Sequence, residues 1–302
     1  MTEPSGILII NKHAGTTSHD IVNRIRRLYG TKRVGHTGTL DPDATGVLVV
    51  LVGRAAKAAE YLVSDTKKYR ATLRLGLTTD TEDASGKTLT VCDALPSEQD
   101  VKNTCLGFVG KIKQIPPMYS ALKKDGQKLC DLARKGIVVE REAREITVFE
   151  LLCSTTETDS DYILDVYCSS GTYIRTLCAD IGKALGCGGI MATLQRTYAG
   201  GFSIEDSITV KELEKMSEEE RISHLKPTES LFDTLPKLSL SDFYEKLCRN
   251  GCEIYQKKIN TSIDIGQCVR IADKNGNFFA LGEVKEYEAG TAIKAIKFFD
   301  IK

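Results

Sequence analysis

Gly35-His36-Thr37-Gly38-Thr39-Leu40-Asp41-Pro42-Asp43-Ala44-Thr45-Gly46 leads without a break into Val47-Leu48-Val49-Val50-Leu51-Val52. The apolar run is short, rich in β-branched residues and flanked by Gly46 and Gly53, which reads as a buried strand. The residues before it, from Gly35 to Leu40, are not expected to form one. Pro42 disfavours helix at Asp41 and offers no backbone N–H. The glycines permit a sharp turn and close approach of another molecule. A carboxylate there, with a reference pKa of about 3.9, is ionised at neutral pH. It could serve as nucleophile, base or metal ligand, or simply as an Asx-type turn residue. By itself the loop favours the turn.

Upstream, residues 6–10 (Gly-Ile-Leu-Ile-Ile) read as a strand ending at Asn11-Lys12. A helix follows with Ser18 as N-cap, Ile21, Val22, Ile25 and Leu28 on one face, and Gly30 as terminator. Downstream, residues 68–77 alternate apolar and polar and predict a half-buried strand. Residues 79–86 read as a polar connection, with further strands near 146–153 and 162–168. A helix spans about 172–185, with Ile174, Leu177, Ile181 and Leu185 inward and Gly186 at C′. The region 205–233 reads as helical and connective. From about Pro236 a helix (241–250), short strands and an Asp273-Lys274-Asn275-Gly276 turn predict a small β-rich terminal module. Many strands without a regular βαβ rhythm place the chain in the α+β class. The expected division is a main domain over 1–234 and a module over 235–302.

The 302-residue chain has equal numbers of Lys+Arg and Asp+Glu, 41 each. That balance hides segregation. Residues 107–144 carry nine bases and four acids, net +5, whereas 203–245 carry five bases and eleven acids, net −6. A basic face on a neutral protein suits a polyanionic partner, although a solvated surface would look the same. No apolar run approaches the roughly 18 residues of a membrane span, and the first residues lack the pattern of an export signal. The ten cysteines include no Cys-x-x-Cys pair, so neither a zinc site nor a disulfide framework is expected. They read as small buried hydrophobes in a reducing cytoplasm. The Asp41-x-Asp43-x-Thr45 pattern also occurs in Mg²⁺-dependent phosphotransferases of the haloacid-dehalogenase type. There the motif closes a buried strand; here the strand follows it.

Several segments, in order, resemble the TruB family of tRNA pseudouridine synthases. They are Gly6-Ile7-Leu8 with Asn11-Lys12, Arg33 through Leu48, Lys68-Tyr69-Arg70, Pro116-Pro117-Met118-Tyr119-Ser120-Ala121-Leu122-Lys123, and Gly171-Thr172-Tyr173-Ile174-Arg175-Thr176-Leu177. The resemblance covers about residues 6–206. It implies a mainly antiparallel, pseudouridine-synthase-type mixed sheet flanked by helices, with an RNA-gripping insertion near 107–144 and a PUA-like terminal module. It further implies isomerisation of uridine 55 in the tRNA T-loop, without cofactor or metal. Asp41 would be the catalytic carboxylate, Arg175 its ionic partner, and Tyr69 a stacking residue for the flipped base. His36, Lys12, Tyr173 and Leu194 would line the site, although Leu194 reads locally as helix core. Lys123 and Lys124 would contact phosphates. The expected partner is the T-arm of tRNA, met by a monomer without an obligatory protein subunit. Two relatives of this reading are a guide-RNA-dependent synthase, which usually carries longer terminal extensions, and a tRNA-folding chaperone.

Overall fold

A computed structural model describes residues 3–61, 66–120 and 122–300. Outside them lie Met1 and Thr2, which open the stretch read for an export signal, Ala121 of the 116–123 motif, residues 62–65, and the last two residues of the terminal module. In chain order the elements are β1 (Gly6–Lys12), α1 (Ser18–Leu28), β2 (Val34–His36), β3 (Thr45–Val52), β4 (Thr66–Leu75), β5 (Leu77–Thr79), β6 (Thr88–Val91), α2 (Glu98–Leu106) and β7 (Gly110–Gln114). The two-residue strands β8 (Lys123–Lys124) and β9 (Gln127–Lys128) lead into α3 (Leu129–Arg134). Then come β10 (Arg144–Thr155), β11 (Asp161–Ser169), α4 (Ile174–Ala184), β12 (Gly189–Ala199), β13 (Phe202–Ser203), α5 (Val210–Lys215) and α6 (Glu218–Ser223). The remainder holds β14 (Lys237–Ser239), α7 (Asp242–Arg249), β15 (Ile254–Tyr255), β16 (Cys268–Ala272), β17 (Phe278–Tyr287) and β18 (Gly290–Phe298).

The main sheet runs β1-β3-β12-β4-β11-β10-β7, with β2 on β3 and β13 on β12. Its pairings are antiparallel except for two residue pairs, Gln195↔Thr45 and Arg196↔Gly46, where β12 meets the start of β3 in parallel. Strand β3 is apolar from Val47 onward, where both its faces are covered. Leu48, Val50 and Val52 pack with Ile21, Val22 and Ile25 of α1. Val47, Val49 and Leu51 pack with Ala55, Ala58, Phe232, Leu281 and Phe299. A strand covered on one side would have alternated, as β4 does, burying Tyr69, Ala71, Leu73 and Leu75 against α4.

Residues from the terminal module, Leu281 and Phe299, thus complete a core begun by β1 and β3. The module also has its own five-stranded sheet, β14-β16-β17-β18-β15, and its own apolar cluster. The helical, connective reading of 205–233 agrees with two short helices and two 3₁₀ turns there. No helix among the described residues is long and apolar enough to cross a membrane.

Three local expectations need correction. Gly35 and His36 do join a strand, β2, against the expectation for 35–40, because β3 offers them a free edge. The N-cap of α1 is Thr17, in a reciprocal capping box with Asp20. Ser18 is instead buried, its hydroxyl accepting from the Leu40 amide at 2.9 Å and lying 3.1 Å from the Leu40 carbonyl oxygen. Leu194 lies on β12, not in a helix, and packs against the apolar clusters on both flanks of that strand. As for the cysteines, five are buried, four are intermediate and Cys252 is exposed, so the buried-hydrophobe reading holds for half of them.

Candidate active site

The loop between β2 and β3 is pinned from below by two buried cations. Lys12, at the end of β1, is fully buried; its ammonium donates to the carbonyls of Pro42 at 2.8 Å, Ala44 at 2.6 Å and His13 at 3.1 Å. Arg196 on β12 is 2 % exposed and donates to Val47 at 2.7 Å, Gly38 at 3.0 Å and Thr39 at 3.4 Å. Arg196 therefore satisfies carbonyls on both limbs of the turn and Lys12 those of the limb after Asp41, which a loop this far from regular structure cannot satisfy within itself. Burial pushes the Lys12 ammonium down to about 8, against the pull of Asp43 and Asp41. Folding thus penalises charged Lys12 most below pH 8, and that penalty is relieved as pH rises from there towards the free-lysine value.

Gly46 is where the limb after Asp41 meets β12. Its φ is +97°, and a Cβ added there would sit 2.2 Å from the Arg196 carbonyl oxygen. We expect Gly46→Ala to cost roughly 2–4 kcal/mol through strain and overpacking. A melting curve should show a loss of several degrees; an unchanged Tm would mean the loop is not anchored at this position.

Asp41 rises from this platform towards Arg175, in the first turn of α4. The Arg175 Nε lies 3.0 Å from Asp41 Oδ2 and its second terminal nitrogen 3.3 Å from Oδ1. The arginine side chain is 6 % exposed whereas that of Asp41 is 38 % exposed, so the carboxylate is the part of the pair that solvent reaches. Arg175 also donates to the Tyr119 carbonyl at 2.9 Å and sits 3.5 Å from a carboxylate oxygen of Asp83. A cation near a helix N-terminus opposes the macrodipole; two carboxylates and backbone carbonyls offset that here. Burial raises the Asp41 pKa above the usual carboxylate value, with Arg175 pulling it back and Asp83 adding to the rise.

Tyr173 is the N-cap residue of α4. Its amide and carbonyl are both held by the Gln114 side chain of β7, at 2.8 and 3.0 Å, which fixes the start of the helix that carries Arg175. Tyr69 is buried on β4, cross-strand from Arg196. The Leu194 carbonyl accepts from the Thr45 hydroxyl at 3.4 Å. His36 sits at the mouth of the loop; burial, then Arg196, lowers its pKa and favours the neutral ring, whose Nδ1 is buried without a partner. Lys123 and Lys124 stand apart from this group on an exposed hairpin, Lys124 donating to the Glu140 carbonyl at 2.7 Å. The hairpin is nevertheless tethered to the site, since the Tyr119 carbonyl four residues before Lys123 touches Arg175.

Residues 26–174 match the TruB family pseudouridylate synthase N-terminal domain, and residues 175–233 the tRNA pseudouridylate synthase B C-terminal domain. The tRNA pseudouridine synthase B of Clostridium perfringens (strain SM101 / Type A) is 40% identical over 284 residues, 93% of this chain and 96% of that protein. The chain belongs to the TruB family of pseudouridine synthases. Its reaction is accordingly the isomerisation of uridine to pseudouridine in tRNA. The tRNA pseudouridine synthase B of Alkaliphilus oremlandii (strain OhILAs) is 43% identical over 265 residues, 87% of this chain and 88% of that protein. Among solved structures, a Cbf5-Nop10-Gar1 complex contains a chain that superposes with a TM-score of 0.74 at 26% identity, covering 98% of this chain and 85% of that one.

Within this TruB-family site, sequence reading missed Arg196 and Ser18, which hold the loop, and Asp83, which flanks Arg175. Asp83 lay in a segment that looked like a polar connection. Arg196 is a lone arginine in a strand of mixed character, with no local signal of burial. Only the fold brings Arg196 and Ser18 to the loop and Asp83 to Arg175.

Proposed function

We propose that this enzyme acts on the T-loop uridine of tRNA, position 55 in standard tRNA numbering, with Asp41 as the catalytic carboxylate. The observation that carries the reading is the Asp41–Arg175 ion pair, whose buried half is the cation and whose open half is the carboxylate. Such a pair orients an anionic nucleophile towards whatever enters from solvent. A uridine in a folded loop must first leave its stack, at a cost of a few kcal/mol. Asp41 then adds to C6 of the base or attacks C1′ of the ribose. The N1–C1′ bond breaks, the base turns, a C5–C1′ bond forms, the bond to Asp41 breaks to return its carboxylate, and the C5 proton is lost as N1 gains one. The product is an isomer of the substrate, so the bookkeeping of atoms and electrons closes without a cofactor.

Tyr69 supplies the stacking surface for the flipped base, and His36, as a neutral ring at the loop mouth, stacks within the opened RNA loop. Lys12, Tyr173 and Leu194 hold the walls in place. The insertion near 107–144 grips phosphates, and the terminal module, read as PUA-like, adds RNA contact. The enzyme works in the cytoplasm as a monomer without a guide RNA or protein subunit; the higher identity to tRNA pseudouridine synthase B proteins than to the Cbf5 chain favours this over guide-dependent action.

The deciding experiment uses the pure protein with an unmodified tRNA transcript, EDTA and no guide RNA, followed by carbodiimide-blocked primer extension. A single new stop in the T-loop is expected. No stop, or a stop that requires Mg²⁺ or a guide, overturns the reading. Replacing Lys123 and Lys124 together by Gln should weaken tRNA binding about tenfold and make the salt dependence shallower by one to two in slope. A salt slope equal to that of the wild type would remove the hairpin from the RNA footprint.

A further inference from the structure

We propose that Cys105 and Cys153 form a redox-reactive thiol pair, which a low-molecular-weight disulfide converts reversibly into a protein disulfide. The isomerisation uses neither thiol. It is redox neutral, and three strands separate β10, which carries Cys153, from β3 at the Asp41 loop. The pair is therefore a modification site of its own, and it stands whether or not T-loop uridine is the substrate.

Helix α2 packs on β10 and buries Val101 and Cys105, one turn apart, in the core beneath the sheet. Strand β10 sends Leu151 into the same core. Cys153, two residues on and so on the same face, lies half-buried at its margin. There the thiols meet, the Cys105 S–H donating to the Cys153 sulfur. The two sulfurs are unequal. Cys105 is buried, and its hydrogen bond to Cys153, with burial behind it, raises its pKa. The same hydrogen bond lowers the pKa of Cys153, and the Lys102 ammonium of α2 adds to the fall against burial and Glu98. A partly exposed sulfur beside a cation is the one that an outside disulfide can reach. Cys178, the third thiol near Cys105, is fully buried, which pushes its pKa up and closes it to such a reagent.

Entry and resolution are thus divided between two residues. Cys153, as thiolate, attacks one sulfur of the small disulfide; the S–S bond breaks and one small thiolate leaves. Cys105 then yields its proton to solvent, and its sulfur attacks the Cys153 sulfur of the mixed disulfide. The second small thiolate leaves, and each takes up a proton. The protein gives up two electrons and two protons, and the small disulfide gains them as two thiols. Because Cys105 holds its proton tightly, the second step is the slower. The bridge closes a loop over residues 105–153, which contains β7 and the basic insertion near 107–144. Joining ends that already touch restricts the unfolded chain without forcing the folded one.

The test incubates the whole wild-type protein with oxidised glutathione, blocks the remaining thiols with N-ethylmaleimide, and maps the cysteines by peptide mass spectrometry. A bridge between Cys105 and Cys153 is expected, reversed by dithiothreitol, with Cys153 consumed several-fold faster than the more exposed Cys252. In Cys105→Ser the reaction should stop at one glutathione held on Cys153. In Cys153→Ser, Cys105 should remain a free thiol. The bridged protein should melt no lower than the reduced one. Adducts on Cys252 without the bridge, a bridge from Cys105 to Cys178, or a bridged form that melts below the reduced protein overturns the proposal. The wild-type map decides the matter even where a serine variant fails to fold.

Discussion

Asp41→Asn should abolish pseudouridine formation in an unmodified tRNA, with a fall of at least about 10⁴-fold in single-turnover rate, of the size seen when a nucleophile is removed. The amide keeps an oxygen for Arg175, so the buried guanidinium stays satisfied and the fold is preserved. It lacks the charge needed to add to C6 or C1′. Affinity for tRNA should stay within about tenfold, because phosphate contacts carry most of the binding. Asp41→Ala should be equally inactive but less stable, since it leaves Arg175 with less of its counter-charge. A variant that retained more than a few per cent of turnover would assign the chemistry to another group. One that lost binding in proportion to rate would make Asp41 a docking residue.

Arg175→Met carries the second large effect, and its signature is in pH as well as rate. With Asp41 as the proposed catalytic group, its carboxylate is the active form, so the rate should fall as pH drops through its pKa. Burial already holds that pKa above the ordinary aspartate value, and Arg175 is the main group pulling it down. Removing the guanidinium must therefore move the acid limb of the rate profile to higher pH, with Asp83 left to push in the same direction. The rate on the plateau should fall about 10²- to 10³-fold, the usual loss on removing a preorganised electrostatic partner. Arg175→Lys should restore much of the limb, because charge returns, but less of the rate, because a lysine cannot span both oxygens as the guanidinium does. An acid limb that stayed in place in Arg175→Met would mean that the ion pair does not set the protonation of Asp41.

How much of this was legible beforehand depended on whether the signal was local. Val47 through Val52 announced a buried strand because both faces needed apolar cover, and the 3.6-residue period of α1 and α4 announced helices. Asp41, read alone, looked like a turn residue; only the ordered company of the segments around Tyr69 and Arg175 raised it. Arg175 was found only by its motif, since its partner lies 134 residues away. Lys12 looked like a strand-end lysine, and Arg196 drew no reading of its own beside a Leu194 read as helix core; their burial follows from the crossing of β1, β3 and β12, which no window of sequence contains. Leu194 was misread because the β12 segment has no strict alternation: its middle is half-buried on both sides and bulged against β4. Ser18 was misassigned because a serine at a helix start has two uses, and the Leu40 backbone claimed the less common one.

The two-residue parallel contact between β12 and β3 has a consequence for how the enzyme comes into being. Val47 and the guanidinium that pins its carbonyl are 149 residues apart in the chain. At a synthesis rate of about 5–20 residues per second, the loop precedes its anchor by roughly seven to thirty seconds. During that interval β1, α1 and β3 can pair locally, but Asp41 has neither Arg175 beside it nor Arg196 beneath it. With Asp41 as the proposed nucleophile, a nascent chain should not turn over uridine until its β12 has been made, the order of its own strands withholding chemistry from the growing polypeptide.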